Sequence, residues 1–179
     1  MLRFVAMALA TVVGLSSCGL LPGNDNRQAD ARMQQIADAV DNQDKAALKA
    51  LFSNRAVEQA TDLDQRLDYF LSFFPSGGLT WERDALGSEV DVDRNGRKTE
   101  LLEAHYTVSA GGNDYYLVFK DFTVNETIDP ENVGLYGLGV APWTEKRQSG
   151  ATKPLLAWAR SIQMDGDGEK GYPGVYVPE

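Results

Sequence analysis

Leu102-Glu103-Ala104-His105-Tyr106-Thr107-Val108-Ser109-Ala110 decides the fold. Apolar or small side chains at 102, 104, 106, 108 and 110 alternate with polar ones at 103, 105, 107 and 109. That is the period of a strand with one face in a core and the other polar. Gly111-Gly112-Asn113 then turns the chain, and Tyr116, Val118, Phe122 and Val124 form a second apolar face against Asp121 and Thr123. Leu117 and Phe119 break that alternation, which predicts a central strand buried on both sides. Asp129-Pro130-Glu131 makes another turn. Val133 to Val140 follows as a glycine-rich strand in which Gly134, Gly137 and Gly139 permit bending. Working backwards, Asp93-Arg94-Asn95-Gly96 reads as a hairpin turn, because Asn-Gly accepts positive φ, and Leu79 to Val92 before it alternates weakly. The stretch from 79 to 140 is therefore an antiparallel meander.

Ahead of the meander the period changes. Ala29, Met33, Ile36, Ala37 and Val40 recur at helical spacing, with Asp30, Gln34 and Asp38 on the other side. Asp44 is suited to cap a second helix carrying Ala47, Leu48, Leu51 and Phe52. A third helix begins near Asp62 and carries Leu63, Leu67, Phe70, Leu71 and Phe74 until Pro75 and Gly77-Gly78 stop it. Beyond the meander, Lys153 to Arg160 reads either as a short helix with Pro154 in its first turn or as an extended edge segment. Asp165 to Gly171 reads as a loop, and Tyr172 to Val177 as a turn and a short terminal strand. Helices segregated from an antiparallel sheet give an α+β fold, in which N-terminal helices pack on a curved antiparallel sheet.

The N-terminus carries an address. A basic start at Arg3, an apolar run from Phe4 to Leu15 and the small residues Ser16-Ser17 before Cys18 have the layout of a secretory signal peptide. The apolar run is too short to span a bilayer as a helix. Leu15-Ser16-Ser17-Cys18 resembles the bacterial lipobox, and Cys18 is the chain's one cysteine. Lipidation of Cys18 would consume a thiol that otherwise has no disulfide partner, and two or more acyl chains would give a stable tether. The expected organisation is a signal peptide over 1–17, a lipidated cysteine and flexible spacer over 18–28, and one α+β domain over 29–179. The domain is expected on the extracytoplasmic face of the cell membrane, held there by its N-terminal lipid.

The chain has 179 residues and a formal net charge of −9. That length suits one domain. The charge disfavours nucleic acid, whose backbone requires clustered Lys and Arg, and it argues against a polybasic membrane patch.

At this point the chain resembles a family of uncharacterised bacterial lipoproteins with a nuclear-transport-factor-2-like, or cystatin-like, cone fold. The resemblance lies in the lipobox, in the stretch from Asp44 to Ser53, in the aromatic helix end Tyr69-Phe70-Leu71-Ser72-Phe73-Phe74 and in Asn132-Val133-Gly134-Leu135-Tyr136. It implies a fold and supplies no catalytic residues. Cone folds host isomerases, dehydratases, ligand carriers and association domains, and a fold alone selects none of them.

Candidate chemistry is sparse. His105 is the one histidine, and its parity places it with Glu103 and Thr107 on the polar strand face, away from the core. A Glu103-His105 pair offers two ligands, where a metal site needs more. Asp91-Val92-Asp93-Arg94-Asn95-Gly96 matches the first half of an EF-hand calcium loop, but position 12 falls on Leu102 and the flanks read as strands. Asp165-Gly166-Asp167-Gly168-Glu169 places Lys170 where the loop glycine belongs. No metal and no cofactor is expected. Phe70, Phe74, Trp81, Tyr106, Tyr116 and Phe122, with Phe73, either line a pocket at the mouth of the cone or fill the core.

The expected function is a non-enzymatic, membrane-anchored binding domain for a small apolar ligand or an envelope partner protein. The first alternative is a cone-fold enzyme of isomerase or dehydratase type using a pocket Asp or Tyr. Its mark would be a carboxylate of raised pKa near Tyr106 or Tyr116. The second alternative is self-association across the outer face of the sheet, giving a homodimer.

Overall fold

Helix α1 (Asn24–Asp41) buries Ala29, Met33, Ile36, Ala37 and Val40 along the side that their spacing predicts. It starts earlier than the apolar stripe does. Residues 24–28, expected as spacer, are helical, because no Gly or Pro separates Asn24 from Ala29 and each added turn costs little once a helix is nucleated. Asp25 in the first turn also faces the positive end of the helix dipole. The computed structural model describes residues 24–75, 77–127, 129–143, 152–165, 168–170 and 173–177. Cys18 and the rest of the expected leader lie outside the described residues. Among the described residues no helix is long and apolar enough to cross a membrane.

Asp44 caps α2 (Lys45–Lys49), its Oδ1 accepting the Ala47 N–H at 2.9 Å. Leu51 and Phe52 do not continue that helix. Ser53 caps a further short helix, α3 (Asn54–Gln59), by accepting the Ala56 N–H at 3.2 Å, so among the described residues four helices precede the sheet where three were expected. Between α2 and α3 a turn leads into a single bridge of Phe52 with Leu135. Leu51 accepts from the Leu135 N–H at 2.9 Å, and Ser53 donates to the Leu135 carbonyl at 3.0 Å. Gly134 is required there: its φ is +130°, and a Cβ would stand 2.8 Å from the Leu51 oxygen. Helix α4 (Leu63–Ser72) buries Leu63, Leu67, Phe70 and Leu71, and Phe74 is buried just past its end.

Strands β1 (Thr80–Val92), β2 (Lys98–Ala110), β3 (Asn113–Asn125) and β4 (Gly134–Pro142) pair antiparallel in sequence order. A short β7 (Gly174–Tyr176) adds to β4 in parallel, so the sheet runs β1-β2-β3-β4-β7 with helices N-terminal to it. The result is an α+β fold on an open, curved, mostly antiparallel sheet. The turn between β1 and β2 is the expected one. Gly96 has φ +78°, and Asp93 Oδ1 accepts the Asn95 and Arg97 N–H groups at 2.8 and 3.0 Å, which ties the candidate calcium-loop carboxylate into its own turn. Helix α5 (Thr152–Ser161) resolves the Lys153 to Arg160 ambiguity, with Pro154 in its first turn. The expected loop after Asp165 is partly a hairpin: β5 (Gln163–Asp165) pairs with β6 (Gly168–Lys170), and Gly166, Asp167 and Gly171 lie outside the described residues.

β3 is the central strand and is buried on both sides. Tyr115, Leu117 and Phe119 join the large core under the helices, while Tyr116 and Val118 pack on the other side with Ala141, Leu155 and Ala159. Phe122 does not share a face with Tyr116, as its even number implied. The pairing shifts on both sides of this part of β3, leaving Tyr136 of β4 and Thr123 of β3 as the extra residues, and Phe122 enters the main core. The glycines of β4 also have another role than bending. A Cβ at Gly137 would stand 2.7 Å from Ile162 Cδ1, and one at Gly139 would overlap Leu155 and Trp158. They let α5 lie close on the outer face of β3 and β4.

Candidate functional site

The outer face has two zones. α5 covers β3 and β4, while the neighbouring surface over β1 and β2 is open and holds a cleft of about 370 Å³. Its apolar walls are Ala85, Leu86 and Leu101, and Glu89, Glu103, His105 and Lys120 supply its charged and titratable groups. Gly87 pairs with Glu103 across the ladder and lines the same cleft, and a Cβ built on it would meet nothing within 4 Å. The missing side chain is part of the open space.

Alternation along β2 puts Glu103 and His105 on this face. Lys120 arrives from β3 as the residue paired with Glu103. Glu103 stands between two donors, its Oε1 2.6 Å from His105 Nε2 and its Oε2 2.6 Å from Lys120 Nζ. The hydrogen bond from His105, joined by that from Lys120, outweighs the opposing effect of burial and holds the Glu103 carboxyl down at about 2. Glu103 is thus a fixed anion. His105 Nδ1 lies 2.8 Å from Tyr116 Oη, which lies 3.3 Å from Asp84 Oδ2. Asp84 reaches this network because the β1–β2 register shifts between Arg83 and Ala85, a bulge that re-aims a side chain. A neutral His105 accepts the Tyr116 proton. A protonated one donates to Tyr116 instead, whose proton then turns to Asp84.

The inner face has charges of a different kind. Arg32 of α1 grips Asp121 through two bonds, Nε to Oδ2 at 2.7 Å and Nη2 to Oδ1 at 3.2 Å. Burial pushes the Asp121 carboxyl up against the pull of Arg32. Tyr106 donates to Asp30 Oδ1 at 3.0 Å, and Arg83 reaches the same oxygen at 2.7 Å. Burial first, then Asp30, raises the Tyr106 phenol. These groups tie α1 to the sheet.

The expected pocket aromatics do not converge on one cavity. Phe70, Phe74, Tyr106 and Phe122 are buried in the main core, Trp81 packs against it, and Tyr116 lies on the opposite face beside Trp143. Within the core the rings pack on one another, Phe70 on Phe74 at 5.4 Å, Trp81 on Tyr106 at 5.5 Å and Phe122 on Tyr136 at 5.4 Å. None of the six lines the cleft. His105 stands on the polar face as its parity required, but it is held in a network with Tyr116 and, through Glu103, with Lys120. Asp84, Gly87 and Lys120 were missed. Only the pairing register brings Gly87 and Lys120 to Glu103 and Asp84 to Tyr116, and no spacing in the sequence encodes it. Among the described residues no three His, Cys, Asp or Glu side chains are grouped to hold a metal ion.

Residues 35–145 match the family described as Domain of unknown function (DUF5104), a span that takes in the helices from within α1 onward and strands β1 to β4. Comparison with the curated proteins returned no match.

Proposed function

Because this chain belongs to the DUF5104 family of domains of unknown function, its role has to be read from its own site, and we propose that it is a non-enzymatic binding domain whose cleft on the outer sheet face takes a small ligand. The domain is an extracytoplasmic lipoprotein of nuclear-transport-factor-2-like cone fold, held at the cell membrane by lipid on Cys18. The observation that carries the binding reading is Glu103, an ionised carboxylate fixed by His105 and Lys120 at the edge of an open cleft. A site with rigid, already ionised groups pays little to order itself around a ligand. The ligand of this reading is small and partly polar, because the aromatic residues expected to face it pack elsewhere and none lines the cleft.

The enzyme reading is supported less well. It looks for a carboxylate of raised pKa near Tyr106 or Tyr116. Glu103, joined to Tyr116 through His105, is pushed the other way, and the raised Asp121 is clasped by Arg32. An anion with a pKa of about 2 makes a weak base at neutral pH.

Thermal-shift measurement of the purified chain against a metabolite library tests the binding reading. A ligand that stabilises the wild type and not Gly87→Val supports it, since ligand binding raises the folded population by mass action. Absence of any stabilising compound refutes it. The tether is tested separately by fractionating cells: wild type is expected with membranes and Cys18→Ala in the soluble extracytoplasmic fraction.

A further inference from the structure

The cleft combines charges of both signs in a small space. Lys120 is the buried cation: its side chain is 7 % exposed, and Glu103 is its one partner among the described residues. An ammonium has three protons, so one bond to Glu103 leaves two that nothing described on the protein takes up. Each oxygen of Glu103 receives one donor, from His105 and from Lys120, and each keeps a lone pair in reserve. Glu89 adds a second carboxylate to the lining.

We propose that the cleft selects a zwitterion, an α-amino acid with an apolar side chain, whose carboxylate meets Lys120 and whose ammonium meets Glu103. The inference rests on the reading of the cleft as a ligand site and names the class of ligand. Charge decides the class. A simple cation drawn to Glu103 and Glu89 is set against the Lys120 ammonium, and a simple anion drawn to Lys120 is set against two carboxylates. A molecule with both signs a few ångströms apart satisfies both groups. It also gives the spare Lys120 protons an acceptor, which a buried donor otherwise lacks. Ala85, Leu86 and Leu101 supply apolar surface for the side chain, and a volume of about 370 Å³ is near the lower end for small-molecule sites. The open space in front of Gly87, beside Glu103 in the pairing, admits the ligand to the charged pair.

The test is calorimetric titration of the full chain in mild detergent with L-alanine, L-valine and L-leucine. Each amino acid is compared with its N-acetyl derivative, which lacks the cation, and its amide, which lacks the anion. At least one free amino acid is expected to bind, and each blocked form to bind about tenfold more weakly or worse, the share of one charged hydrogen bond. Glu103→Gln and Lys120→Met are expected to lower the affinity by a similar factor, and Gly87→Val to abolish binding while the variant melts no lower than the wild type. Equal affinity for free and blocked forms overturns the proposal, and so does binding that survives Gly87→Val. If other small molecules bind in a manner Gly87→Val blocks while no amino acid does, the zwitterion class falls and the ligand site stands. If nothing binds, both fall.

Discussion

The two faces of one sheet use charge in opposite ways. On the inner face, Arg32 and Asp121 close on each other between α1 and β3, the Asp121 side chain 4 % exposed, and neither lines the cleft. On the outer face, Glu103, His105 and Lys120 come from β2 and β3, yet their cluster borders open space. The inner pair is satisfied within itself and acts as a clasp between layers. The outer cluster is satisfied only in part, with ammonium protons left over. A buried charge with complete partners is a structural device, whereas one left incomplete beside a cavity is where a ligand would contribute.

Breaking the clasp should give the largest effect. Arg32→Ala leaves Asp121 buried without its partner, and chemical denaturation is expected to show a loss of about 3–5 kcal/mol. A loss below about 1 kcal/mol, the range of a surface pair, would show that the two faces do not differ as described. Next in size is Gly139→Val, under α5. The added side chain would collide with Leu155 and Trp158, and overpacking of this kind costs about 1–3 kcal/mol. Unchanged stability would mean that α5 does not depend on close approach to β4.

The inner face was legible in the sequence and the outer one was not, for a definite reason. Burial under helices writes a period, so Met33, Ile36 and Val40, or Tyr106 and Val108, announce their face by spacing alone. The central strand was readable from Leu117 and Phe119 as breaks in that period. The register shifts were not: nothing local marks the one at Arg83/Ala85 that brings Asp84 toward Tyr116, or those at Glu100/Leu101 and Lys120/Asp121 on either side of the stretch of β3 where Phe122 turns inward. Short α3 was hidden because six residues with one buried side chain, Ala56, carry no stripe. Lys120 and Gly87 lie far from Glu103 along the chain and meet it through pairing register.

Acid should loosen the outer cluster in a defined window. The Glu103 carboxyl is lowered from 4.5 to about 2 by its hydrogen bonds from His105 and Lys120. A carboxyl depressed in the folded state contributes stability that is complete above its unfolded value and is lost as pH falls from about 4.5 towards 2. Wild type is therefore expected to exceed Glu103→Gln near neutral pH by about 1.5 kcal/mol, the worth of a hydrogen bond to a charged group. That advantage should shrink through the acid window. A pH-independent difference in urea midpoints between the two proteins would sink this account.

The smallest effect on stability is the sharpest comparison within the outer face itself. Gly87 and Gly139 both lie in strands, and Gly139 faces a helix while Gly87 faces the cleft. The same change to valine should therefore give opposite results. Gly87→Val meets no atom within 4 Å and no unusual backbone angle, and valine suits a strand better than glycine does. Its stability is expected to lie between unchanged and a gain of about 1 kcal/mol. Its side chain would nonetheless enter the cleft beside Glu103, so ligand binding should be lost from a protein that folds as well as the wild type. Destabilisation of Gly87→Val by as much as Gly139→Val would mean that the space before Gly87 is closed in solution, and the distinction between a covered and an open zone of the sheet would disappear with it.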